Sequence, residues 1–392
     1  MQRQLSRRSA LAGFGGAAAA LTIAACGGVA ADAATGATAA RRPAGTLLWQ
    51  SRAVPAHQPG IVAAAGRVYV TGGGQDYGDS GIYAFDAAAG GRLWRTPGSS
   101  GPYPYAASAS AVYGFTVTRG GGTTEVSASD AATGRTLWTH DAGQMLDSAE
   151  VGWLAYAGGL VYIAAGTTED DTAGQPAVRA LDARTGRRVW GAGAGSAPQT
   201  PAVAGGLVFI EDDAASITAA SGYLVALDAA TGTRRWRSAN LGGPTLLPVV
   251  TGGVACSTAY SLTQSITFGL DSRTGREIWH ARLPGLAQAG TQDIVFLFEF
   301  SVGQTSSFTI WARHIRTGAL AWTRKFPGGP ALAAAGGVLY LGYGTRTLQA
   351  IAAATGHPQW TRQLRAAPAD IAVGGNVVYA LDGNGGVYAV QA

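Results

Sequence analysis

One eleven-residue phrase recurs along the chain, with an aspartate near its start, a Thr-Gly pair in its middle and a tryptophan at its end. It reads ALDAATGTRRW at 226–236, ALDARTGRRVW at 180–190 and ASDAATGRTLW at 128–138. Further copies are AFDAAAGGRLW at 84–94, GLDSRTGREIW at 269–279, ARHIRTGALAW at 312–322 and AIAAATGHPQW at 350–360, with a half-copy, GTLLW, at 45–49. The closing residues Trp49, Trp94, Trp138, Trp190, Trp236, Trp279, Trp322 and Trp360 lie 38 to 52 residues apart. A second phrase alternates with the first, as in AAGRVYV at 64–70, AGGLVYI at 157–163, AGGLVFI at 204–210 and AGGVLYL at 335–341. Such a period means one supersecondary unit repeated, each copy burying its face against the next.

Each unit reads as four short strands. In the copy around 200–238, TPAVAGG is a strand of small residues closed by a Gly-Gly turn, and LVFIE is a more apolar second strand. YLVALDA alternates as a third, and TRRWRS follows the Asp-x-x-Thr-Gly turn as a fourth. In that turn the aspartate accepts bonds from nearby backbone amides, and the glycine supplies the positive φ a tight hairpin needs. Four antiparallel strands in about 40–45 residues make one propeller blade. After a low-complexity leader the chain opens on a lone fourth strand, Leu47-Leu48-Trp49, and it closes on a third strand, Val387 to Val390. Pairing the two completes an eighth blade and removes two loose sheet edges; the cost is loop-closure entropy. The expected fold is therefore all-β: an eight-bladed β-propeller of four-stranded antiparallel blades, closed by its N-terminal strand on its C-terminal one.

The Ala-x-Asp-x-x-Thr-Gly-x-x-x-Trp phrase resembles the tryptophan-docking motif of the pyrroloquinoline-quinone (PQQ)-type eight-bladed propellers, and the resemblance covers 45–392. It implies that the eight tryptophans pack each blade on its neighbour, so the phrase is architectural. Two branches of that family carry different functions. Quinoprotein dehydrogenases hold PQQ and a calcium ion on the propeller axis. Short lipid-anchored propellers similar to BamB, the lipoprotein of the outer-membrane assembly machinery, act as binding scaffolds. The blades here carry almost no insertions, no adjacent Cys-Cys pair exists, and no catalytic loop matches residue by residue. No catalytic residue is carried over, and a non-catalytic BamB-like module is expected. No cofactor is expected. The alternative is a PQQ- and calcium-dependent dehydrogenase, or a propeller holding a small molecule in an axial channel lined by Ala- and Gly-rich first strands.

The leader reads as an address. Ser6-Arg7-Arg8-Ser9-Ala10-Leu11 resembles a twin-arginine export signal, with Ala10 where phenylalanine is usual. The apolar stretch from Ala10 to Ala25 is too short and too small-chained for a membrane span. It runs into Leu21-Thr22-Ile23-Ala24-Ala25-Cys26, which looks like a lipoprotein box. Residues 1–25 are thus expected to be a signal peptide, Cys26 the lipidated residue, 26–44 a flexible Ala/Gly/Thr tether, and 45–392 the propeller. The mature chain would be exported and anchored by lipid to the outer face of the cytoplasmic membrane, or to the periplasmic side of an outer membrane.

Net charge is +5 for the whole chain. Removing 1–25 takes away Arg3, Arg7 and Arg8 and leaves 25 basic against 23 acidic residues, so a nucleic-acid partner loses its electrostatic basis. With Cys26 lipidated, Cys256 has no disulfide partner. The five histidines show no ligand spacing, and GDSG at 78–81 reads as a glycine-rich turn.

Charge sorting is more informative. In a propeller, the loops from strand two to three and from strand four to the next blade share one face, and the Gly-Gly and Thr-Gly hairpins share the other. The first face collects twelve acids: Asp76, Asp79, Asp141, Asp147, Glu150, Glu169, Asp170, Asp171, Glu211, Asp212, Asp213 and Glu299. They concentrate around blades two to four, where Asp141, Asp147, Glu150, Glu169, Asp170, Asp171, Glu211, Asp212 and Asp213 are a candidate partner-binding face for an extracytoplasmic or membrane protein, by shared-field steering. Carboxylate number alone also fits calcium. The second face collects Arg92, Arg135, Arg184, Arg187, Arg188, Arg234, Arg235, Arg273, Arg276 and Arg316. The tether joins on this side, so Arg187, Arg188, Arg234 and Arg235 are candidate membrane-facing residues on a monomer.

Overall fold

A computed structural model describes residues 42–53, 60–72, 81–96, 103–117, 123–144, 154–164, 178–193, 201–212, 221–243, 245–260, 265–282, 285–301 and 307–392. Its strands form eight four-stranded antiparallel sheets. Seven of these take four consecutive strands each, the first starting at β2 (Ile61–Ala64). The eighth joins β30 (Pro368–Gly374), β31 (Val377–Asp382) and β32 (Gly386–Gln391) to the first strand of the chain, β1 (Leu47–Arg52), in the order β1-β32-β31-β30. Trp49 lies opposite Ala389 and Gln50 opposite Tyr388. The ring is closed by its two ends, as the strand count requires.

Closure is fastened at several radii. Near the axis the Ile61 amide donates to Asp370 Oδ2 at 2.8 Å, joining first strands 309 residues apart. At the rim the Gly45 amide donates to the Gln391 carbonyl, and the Gln391 amide returns to Thr46. The Arg362 guanidinium, from the seventh blade, donates to the Gly45 carbonyl at 3.0 Å. Tyr388 donates to Asp382 Oδ2 at 2.6 Å and so holds the last strand to the turn before it. Burial raises the Tyr388 pKa to about 12, and the Asp382 contact adds to it.

The hydrophobic core is distributed over the seams between blades. In one seam Phe209, Leu224, Ala226 and Trp236 of the fourth blade meet Val250, Ala255, Ala259 and Leu270 of the fifth. Each large side chain buried this way contributes about 1.5–3 kcal/mol. The two hairpins of a blade are tied at one end: the amide after the turn aspartate donates to the carbonyl of the second glycine of the Gly-Gly turn, as in Ala183 to Gly159 and Ala229 to Gly206. The bond persists from Ala87 to Gly66 and from Ala353 to Gly337, where one turn or the other departs from the motif. That end is the hairpin face.

A β-bulge recurs in every blade. On the outer strand the tryptophan faces the third strand (Ala84 opposite Trp94), but the next paired residue is two positions upstream (Phe85 opposite Arg92). The skipped residue is Leu48, Leu93, Leu137, Val189, Arg235, Ile278, Ala321 or Gln359, always the one before the tryptophan. A bulge of this kind bends an edge strand and spoils it as a template for further pairing.

Candidate functional site

The repeated phrase builds one node seven times. The indole N–H of Trp94 donates to the Ala131 carbonyl of the next blade at 3.0 Å, and Ala131 donates its own amide to Ser110 within its blade. The same indole bond joins Trp49 to Ala87, Trp138 to Ala183, Trp190 to Ala229, Trp236 to Ser272, Trp279 to Ile315 and Trp322 to Ala353. The second phrase feeds the same node. The tyrosine hydroxyls of Tyr69, Tyr162 and Tyr379 donate to the carbonyls of Ala131, Ala229 and Ala87, beside the indoles of their own blades. Burial of these three phenols raises their pKa to about 12.

The Thr-Gly glycine carries two constraints at once. Gly232 has φ of +72°, and a Cβ there would lie 2.5 Å from the Trp190 ring. Gly45 (φ +79°) occupies the same place in the eighth blade, beneath Trp360, although no hairpin connects its strands. The segment leading into β1 thus supplies the contact that a turn supplies elsewhere. Sequence reading assigned these glycines to turn geometry and missed the indole stacked on each of them.

The fifth blade departs from the pattern consistently. Cys256 stands where other blades have an aromatic residue; it is fully buried, and burial pushes its thiol pKa up. Gly269 stands where they have alanine, and a Cβ there would lie 2.3 Å from the Trp279 ring. The indole leans over Gly269, and Ile315, also buried, completes the seam.

The hairpin face presents all ten arginines exposed. Its hairpins also carry seven carboxylates: Asp86, Asp130, Asp182, Asp228, Asp271, Glu277 and Asp293. Sequence sorting by arginine alone overlooked these. Asp228 accepts the amides of Ala230 and Thr231 and the Thr231 hydroxyl on Oδ1, and Arg235 on Oδ2 at 2.7 Å. Arg235 first, then Thr231, pull its pKa down to about 2. Asp130, Asp182 and Asp271 are also lowered, chiefly by the hydroxyls of Thr133, Thr185 and Thr274. The positive excess is concentrated on blades three and four, where Arg184, Arg187, Arg188, Arg234 and Arg235 face only Asp182 and Asp228.

Of the acids assigned to the opposite face, Asp147, Glu150, Glu169, Asp170, Asp171 and Asp213 lie outside the described residues, as do Asp76, Asp79 and Cys26. Asp141 is exposed. Glu211 is 1% exposed, so its carboxylate lies beneath the surface that a partner would touch. Asp212 pairs with Arg237 at 2.8 Å, and that guanidinium lies 3.4 Å from the centroid of the Tyr223 ring. Glu299 accepts the Trp311 indole N–H at 3.4 Å. Among the described residues no group of three His, Cys, Asp or Glu is placed to hold a metal ion, and no helix is long and apolar enough to cross a membrane.

Comparison with known proteins gives both branches of the fold. No curated protein matches the chain. BamB from Moraxella catarrhalis is 18% identical, with a TM-score of 0.56 over 88% of this chain and 97% of that one. The quinohemoprotein alcohol dehydrogenase ADHIIG from Pseudomonas putida HK5 is 17% identical, with a TM-score of 0.58 over 88% of this chain and 76% of that one. The computationally designed Ika8 protein has a TM-score of 0.59 at 14% identity, over 90% of this chain and all of that one. At these identities the likeness is one of fold. The family model described as outer membrane protein assembly factor BamB matches residues 33–101, 78–261, 122–299 and 307–392. Matched over nearly its whole length, and built on blade-to-blade tryptophan nodes, the chain belongs to the BamB family of PQQ-type propellers.

Proposed function

We propose that this chain is a lipid-anchored, extracytoplasmic propeller that binds or scaffolds other proteins and does not itself catalyse a reaction. The observation that carries the reading is the use made of the repeat. Its tryptophans, glycines and buried tyrosines are engaged in holding blades together and its aspartates in capping their own turns, within a family described by an assembly factor. The opposite face, with Asp141, Asp147, Glu150, Glu169, Asp170, Asp171, Asp212 and Asp213, receives a basic surface of an extracytoplasmic or membrane protein. Cys26 carries the lipid, residues 26–44 tether the ring, and Arg187, Arg188, Arg234 and Arg235 face the bilayer. The protein acts as a monomer on the outer face of the membrane that holds its lipid.

Cross-linking in cells from the acidic loops, followed by mass spectrometry, tests the scaffold. A protein recovered through residues 165–171, and lost when Glu169, Asp170 and Asp171 are changed to lysine, is the expected result. Dye-linked oxidation of alcohols or sugars after addition of PQQ and calcium would overturn it in favour of the quinoprotein reading. Mass spectrometry of the N-terminal peptide tests the anchor: lipid is expected on Cys26, and Cys26→Ser is expected to release the chain from membranes.

A further inference from the structure

Among the described residues the large apolar side chains left exposed are Leu93, Leu137, Val189, Ile278 and Leu320, at 41–52%. All five lie at the start of outer strands, and the first four are the bulge residues that precede a tryptophan. The bulge frees this side chain from cross-strand pairing. The fold does not require an apolar group there, because Arg235 and Gln359 occupy the same bulge in blades four and seven and are exposed. A scattered exposed leucine needs no explanation. Recurrence at one structural position in blades one, two, three and five does.

Each of the four bulge residues follows an arginine by one or two positions: Arg92 and Leu93, Arg135 and Leu137, Arg188 and Val189, Arg276 and Ile278. They sit three residues past the turn glycine (Gly90, Gly134, Gly186 and Gly275), about 10 Å along a strand from the hairpin face. Because every blade repeats the same geometry, these positions lie at one height around the ring. A flat, extended, anionic surface meets all of them together. The chain enters at Gly45 on this same face, in the eighth blade beneath Trp360, with 44 residues before it. Blades eight and seven, which flank that point, lack the feature: Leu48 packs into a seam and Gln359 is polar.

We infer that the outer rim of the hairpin face, through the bulges of blades one, two, three and five, docks on the anionic phospholipid surface beside the chain's own anchor. The apolar bulge residues reach the headgroup boundary and the arginines meet lipid phosphates. The inference rests on the membrane-facing orientation proposed above and adds to it an apolar contact, which makes the ring lie flat.

The test uses the chain from residue 42, which retains every strand from β1 to β32, with vesicles of phosphatidylcholine alone or with phosphatidylglycerol. The parent is expected to bind the anionic vesicles at least about tenfold more tightly than the neutral ones at low salt. Leu93→Ser, Leu137→Ser, Val189→Ser and Ile278→Ser combined should weaken that binding about tenfold or more, with unchanged melting temperature. Should the quadruple variant melt early, a polarity-sensitive dye on Leu137→Cys gives an independent readout, and its emission is expected to shift blue on anionic vesicles. A parent that ignores both vesicles, a quadruple variant that binds like the parent, or a dye that stays in water on bound protein each overturns the inference. The anchor fails separately: full-length chain without lipid on Cys26 would sink the anchoring proposal while vesicle binding by the residue-42 chain kept the rim.

Discussion

Gly232 sits with positive φ beneath the Trp190 ring, so two unrelated forces exclude any side chain there. Gly232→Ala is expected to cost about 2–4 kcal/mol, from backbone strain and the displaced indole together. Trp190→Phe keeps a ring in the seam but removes the indole N–H; the Ala229 carbonyl retains the Tyr162 hydroxyl at 3.2 Å, and a milder loss of about 1 kcal/mol is expected. Urea unfolding of the two variants checks the order. In the fifth blade the prediction inverts the usual preference. Alanine is the residue other blades use at the place of Gly269, yet Gly269→Ala should destabilise by about 1–3 kcal/mol because the indole occupies that space. The Cys256 thiol of the residue-42 chain should stay unreactive to thiol reagents until the protein unfolds, since burial raises its pKa and closes access.

At the scale of the element, the second and fourth strands of a blade act as a pair, because a tyrosine from one and a tryptophan from the other converge on a single carbonyl of the next blade. The buried phenols Tyr69, Tyr162, Tyr379 and Tyr388 are raised to about 12. An unfolded tyrosine ionises near 10. Above that pH the unfolded chain has released protons that the native ring retains, so stability is full below pH 10 and falls as pH rises toward 12. Denaturant midpoints measured from pH 8 to 12 should drop across that window, with phenolate absorbance appearing together with unfolding. A decline confined to below pH 9 would refute the assignment. The four-strand unit itself was legible in the sequence, since Gly-Gly, Asp-x-x-Thr-Gly and alternating apolar residues each have a local backbone cause. The bulge before each tryptophan was not. Period-two alternation cannot register a skipped residue, and a skip shows only when two strands are set side by side.

For the whole molecule the decisive contact is between β1 and β32. A chain beginning at residue 54 lacks β1, leaves Val387 to Val390 as an open edge and uncovers the seam that Trp49 fills. Loss of about 5 kcal/mol or more is expected from the buried apolar groups alone, with a tendency to associate through the bare edge. Size-exclusion chromatography and thermal melts measure both, and a synthetic peptide spanning 42–53 should restore the melting temperature. A truncated chain as stable and monomeric as the parent would show that the ring does not depend on its first strand.

The repeat by itself determined blade number, strand order and the need for the ends to meet, because each copy carries its own turns and leaves one face that only another copy can cover. The tertiary structure decided where the repeat's side chains go. It placed the glycines under indoles and Glu211 below the surface, set seven carboxylates among the arginines, and turned a row of apolar bulge residues toward the outside. Those outcomes depend on which residues from different blades share a seam or a rim, and such neighbours lie some forty positions apart along the chain, beyond the reach of any local pattern.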